Sequence, residues 1–125
     1  MGLPTTAAET APSRASIERP IDLVHLARMT LGDRGLEREV LALFDRQATV
    51  LLSRLRASPP GAVTAVAHTL KGSARGVGAW RVADAAEAVE RAASAGEADV
   101  SAAISRLVAV AEEARAVIAE LLRAN

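Results

Sequence analysis

Apolar residues recur at intervals of three and four from Ile21 to the end of the chain, and the runs are separated by Gly and Pro. A first helix is predicted from the N-cap Asp22 through Leu23, Leu26 and Ala27 to Leu31, with Gly32 and Gly35 bracketing its end. The second spans about 36–57, carrying Leu36, Val40, Leu43, Phe44, Leu51 and Leu55. Ser58-Pro59-Pro60-Gly61 stops it, because proline lacks the N–H that would continue the ladder. The third, about 62–75, has the stripe Val63, Val66, Ala67, Leu70 and Ala74. After Gly76-Val77-Gly78 the fourth runs over about 79–95, with Val82, Ala86, Val89 and Ala93 on one face, and ends at Gly96. The fifth, about 99–123, places Val100, Ile104, Leu107, Ala111, Ala114, Ile118 and Leu121 on one side. Short connections favour antiparallel neighbours. The predicted fold is all-α: an antiparallel up-down four-helix bundle over 21–125, with the short first helix capping one end. Residues 1–20 show no sustained period and are expected to be a flexible lead-in.

Composition agrees with helices. Alanine is the commonest of the 125 residues, and there are one Trp, one Phe and no Tyr, which suits packed helices better than sheets. Zero cysteines exclude disulfides, thiolate nucleophiles and cysteine-ligated zinc. Fifteen basic side chains balance fifteen acidic ones, which removes the electrostatic case for nucleic acid or a polybasic membrane anchor. No apolar run approaches the ~20 residues of a membrane span. The N-terminus also lacks the basic leader and apolar middle of a signal peptide. A cytoplasmic monomer is expected.

The chemistry concentrates in His68-Thr69-Leu70-Lys71-Gly72-Ser73-Ala74-Arg75-Gly76-Val77-Gly78. His68 lies one step off the third helix's apolar stripe, so its ring should emerge at the surface. Lys71, Gly72 and Arg75 follow at three, four and seven residues, on the same face. Glycine inside a helix costs about 0.5–1 kcal/mol relative to alanine. Gly72 therefore has a reason to be there: it clears one flank of the imidazole for an approaching partner. Lys71 and Arg75 offer positive charge where phosphoryl oxygens would lie.

This run, with the Ile21-Asp22-Leu23 start, the Leu43-Phe44 pair and Gly78 at the reversal, resembles the histidine-containing phosphotransfer (HPt) domains of bacterial phosphorelays. The resemblance implies that His68 is phosphorylated and exchanges its phosphoryl group with receiver-domain aspartates. It also implies that the domain has no ATP site or resident cofactor, any Mg²⁺ coming with the receiver. In the family a Gln or Glu on the next helix holds the imidazole. Glu90 occupies that position, and Glu87, one turn earlier, competes with it. A carboxylate on Nδ1–H would leave the Nε2 lone pair free for attack.

The plainer readings apply elsewhere. His25 lacks a following Lys-Gly and is expected to be structural, Ser73 a small packing residue, Gly78 a turn residue, and Phe44 and Trp80 packing aromatics. Glu87 with Arg91 is expected to be a helix-surface pair. The leading reading is a stand-alone carrier, favoured by the start at Met1 and the end soon after the fifth helix. Alternatives are a domain excised from a hybrid or chemotaxis-type histidine kinase, or an adaptor bundle that binds receivers without transfer. A metal-binding bundle lacks the inward Glu-x-x-His pairs it would need. The apolar docking surface is expected around Leu23, Leu26 and the neighbours of Phe44.

Overall fold

Asp22 starts the fold. In the computed structural model, which describes residues 19–96 and 100–124, its Oδ1 accepts the backbone N–H of His25 at 3.0 Å and caps α1 (Leu23–Met29). The helix stops short of the expected Leu31, because Leu31 and Gly32 adopt left-handed backbone angles of +54° and +77° and reverse the chain. Helix α2 (Arg34–Ala57) begins two residues before the expected Leu36, since Asp33 Oδ1 accepts Leu36 N–H at 2.9 Å. Ser58, preceding Pro59, is extended and ends it. Helix α3 (Pro60–Val77) starts on a proline in its first turn, where the missing N–H costs nothing.

Gly78, at φ +80°, closes α3, and Ala79 leads into α4 (Trp80–Ser94). The last helix, α5, covers Ser101–Ala124. Its expected start at Asp99, most of the expected lead-in (residues 1–18) and Asn125 lie outside the described residues.

The architecture is a helical bundle, and the described residues contain no strand. Helix α3 packs on α2 and α4, α5 packs on α4 and α2, and α1 packs on α3. Large side chains such as Leu26, Phe44, Leu55, Leu70, Val89, Leu107 and Ile118 fill the interior. Between them Ala48, Ala67, Ala74, Ala86 and Ala114 are wholly covered, small side chains that suit close helix contacts. Full burial of an aliphatic side chain such as Leu70 stabilises by about 1.5–3 kcal/mol.

The apolar residues of α2 divide between two faces, and one expectation is corrected on α1. Phe44, Leu51 and Leu55 are in the core with Leu41 and Ala48, whereas Leu36 and Leu43 are 41% and 48% exposed. With Val50, Leu36 and Leu43 form a second row at seven-residue spacing, about 100° around the helix from Phe44. Leu26, expected on an exposed docking surface, is buried because it is the residue by which α1 enters the core.

Asp22 also ties α1 to the α3–α4 turn. Its N–H donates to the Gly78 carbonyl at 2.9 Å, and its Oδ2 accepts Trp80 Nε1–H at 2.9 Å. Burial alone would raise this carboxyl, but the hydrogen bonds from Trp80 and the His25 N–H outweigh it and the net shift is downward. His25 stands edge-on to Trp80 with ring centroids 4.8 Å apart.

Candidate functional site

Ala67 and Leu70 turn inward on α3, which leaves His68 pointing out with 67% of its side chain exposed. A Cβ on Gly72 would meet nothing within 4 Å. No contact among the described residues therefore calls for glycine there, and they leave the flank of the imidazole open.

Glu90 faces His68 from α4. Its Oε2 lies 2.8 Å from His68 Nδ1, and its Oε1 lies 2.8 Å from Lys71 Nζ. One carboxylate thus serves two groups on one turn of α3. Lys71 first, and then His68, hold the Glu90 carboxyl below the usual carboxylate range. Ionised, Glu90 can only accept, so Nδ1 carries the proton and Nε2 keeps its lone pair. Lys71 is only 14% exposed, so its ammonium is held on Glu90 rather than waving in solvent.

One turn earlier on α4, Glu87 meets Arg75 Nη2 at 3.5 Å through Oε1 and Arg91 Nη1 at 3.3 Å through Oε2. Residues 68, 71 and 75 of α3 thus meet residues 90 and 87 of α4 in reverse order, as the two-residue turn requires. The chemistry this permits is attack by an exposed, oriented imidazole nitrogen on an electrophile brought by another molecule, with cations beside it.

A family model for the Hpt domain matches residues 38–124. The chain belongs to the Hpt domain family. Hpt domains carry phosphoryl groups on histidine in two-component phosphorelays, have no ATP site, and work with receiver domains and kinases. Searches of curated proteins and of solved structures return no match.

Among the sequence candidates, this Hpt domain brings His68, Lys71 and Glu90 together, with Gly72 on the open flank. Of the two competing carboxylates it is Glu90 that reaches the imidazole, while Glu87 is occupied by arginines. Arg75 stays on the same face but pairs with Glu87 and not with Glu90. Gly78 sits at the turn against Asp22 and His25, away from the imidazole; a Cβ there would lie 3.0 Å from the Asp22 carbonyl oxygen.

The expected surface pair of Glu87 with Arg91 is present, and the bridge from the same carboxylate to Arg75 appears only when α4 is docked on α3. Nothing in the sequence warned of the groove of about 300 Å³ beside α3, lined by Arg46, Val50, Arg54, Thr69 and Ser73. Leu23, expected near the imidazole, lines a different cleft with Arg38 and Leu121. Among the described residues no group of three or more His, Asp or Glu side chains could hold a metal ion. No described helix is long and apolar enough to cross a membrane.

Proposed function

We propose that this Hpt domain accepts a phosphoryl group on His68 Nε2 and passes it between the aspartates of receiver domains in a multistep phosphorelay. The observation that carries the reading is the 2.8 Å contact of His68 Nδ1 with Glu90 on a ring that is two-thirds exposed. The scaffold is read as an antiparallel up-down bundle of α2–α5 with α1 capping one end.

In the forward step Nε2 attacks the phosphorus of a receiver's aspartyl phosphate. The Nε2–P bond forms, the P–O bond to the aspartate breaks, and the aspartate leaves with the electron pair. Nδ1 keeps its proton, so the ring becomes cationic, and Glu90 stands against that new charge. Lys71 faces the charge spread over the phosphoryl oxygens in a loose transition state. The receiver supplies the acidic pocket and its Mg²⁺, and Gly72 leaves room for both. Transfer to a second receiver reverses the same steps.

The test is to incubate the protein with a panel of phosphorylated receiver domains. Wild type should acquire acid-labile, base-stable label, and His68→Gln should acquire none. Label on His68→Gln, or none on folded wild type with any receiver, overturns the reading.

A further inference from the structure

The charges around His68 do not balance. With a neutral imidazole, Lys71, Arg75 and Arg91 face the two carboxylates Glu87 and Glu90, which leaves one positive charge over. Glu87 is shared between two guanidiniums at 3.5 and 3.3 Å, both longer than the 2.7–2.9 Å of a tight charged pair. Arg91 is 70% exposed, and exposed pairs of this kind hold weakly.

Position separates the two arginines. Arg75 follows His68 by seven residues, which places it about 10.5 Å farther along the α3 axis. Arg91 follows Glu90 directly, and Glu90 is the residue in contact with the imidazole. Val89 and Ala92 hold the buried side of α4, so Arg91 projects from its outer side at the level of His68. Its side chain leans back one turn to reach Glu87, the natural direction for a helical residue.

We infer that Arg91 is a second phosphoryl-binding cation of this site: held on Glu87 while His68 is bare, it turns to the phosphoryl oxygens once His68 carries the group. Glu87 then keeps Arg75, so no carboxylate is stranded. The incoming group brings about two negative charges, and the spare cation, 70% exposed and held only at 3.3 Å on Glu87, follows directly on the residue that contacts the imidazole. The inference rests on the reading of His68 as the phosphoryl acceptor, and it assigns the task to the arginine of the facing helix rather than to the one two turns along α3.

The full chain is phosphorylated with phosphoramidate, which needs no protein partner: its P–N bond breaks, the Nε2–P bond forms and ammonia leaves. The phosphorus NMR signal absent from His68→Gln is then followed against pH and time. Arg91→Ala should raise the phosphoryl titration midpoint by about half a pH unit and shorten the half-life about threefold. Arg91→Lys should restore most of both. Arg75→Ala should move the midpoint by less than ~0.2 unit. An unchanged midpoint in Arg91→Ala, or an equal shift in Arg75→Ala, overturns the inference. If receivers fail to label the protein but the phosphoramidate-treated variants behave as stated, the relay reading falls and the role of Arg91 stands.

Discussion

The two histidines of this chain sit in opposite kinds of surroundings. His68 turns its ring into solvent, has Nδ1 fixed by Glu90, and leaves Nε2 open beside Gly72. His25 is packed edge-on against Trp80, and its Nε2 is buried with no hydrogen-bond partner among the described residues. Each has a carboxylate nearby, yet Asp22 takes the His25 backbone N–H, not its ring. Glycines differ in the same way. A Cβ on Gly72 would enter open space, whereas one on Gly78 would press on Asp22 and His25. A carboxylate and a glycine near an imidazole can therefore build a reactive centre or a structural joint. Which one results depends on whether the ring faces outward.

The sharpest way to break the comparison is to remove each ring. His68→Gln should abolish phosphotransfer completely and leave urea stability within ~0.5 kcal/mol of wild type. His25→Gln should keep transfer and cost about 1–2 kcal/mol of stability, through lost packing on Trp80. The opposite split would mean the two regions have been assigned the wrong way round.

The next largest effect belongs to the joint. Gly78→Ala forces a side chain into a left-handed backbone and against the Asp22 carbonyl oxygen. A loss of about 2–3 kcal/mol is expected in denaturant titrations. Gly72→Gln should do the reverse, gaining up to ~1 kcal/mol in helix stability while slowing transfer from a receiver about tenfold. Equal transfer rates would remove the steric role given to Gly72.

Smaller again is the split between Lys71 and Glu90. Lys71→Ala should lower the single-turnover rate about tenfold while receiver affinity changes less than twofold. Glu90→Gln retains an acceptor for Nδ1–H but no charge for the ring cation, and a drop of about three- to tenfold is expected. Affinity falling in step with rate for Lys71→Ala would make it a docking residue.

The smallest effect is acidic. Asp22 titrates below its ordinary value of 3.8 in the folded chain, so its stabilising contribution is complete above about pH 4. It disappears as pH falls through the folded value. The melting-temperature gap between wild type and Asp22→Asn should therefore narrow below pH 4; a gap that widens would contradict the hydrogen bonds assigned to Asp22.

Much of this was legible from local spacing. The Pro-Pro and Gly breaks, the Asp22 cap and the alanine-rich stripes are all near-neighbour signals, and so are the relations of Lys71 and Gly72 to His68. The choice between Glu90 and Glu87 was not, because both project toward α3 and only the docked register of α4 separates them. The burial of Leu41 instead of Leu43 has the same origin: two apolar rows share α2, and only packing selects one. The Trp80–Asp22 hydrogen bond spans 58 positions and leaves no periodic trace in the sequence.

The turn between α3 and α4 has a consequence for how such a chain can vary over evolutionary time. Only Gly78 and Ala79 join the helices, and the backbone of Asp22 is bonded to the Gly78 carbonyl. Adding one residue there would rotate α4 by about 100° and slide it about 1.5 Å, carrying Glu90 off the imidazole. Length changes in this turn would thus be filtered out even where every side chain of the site is kept. Partner choice would have to diversify by substitution on the outer faces of the helices, with the α3–α4 hairpin retained as an unlengthened unit.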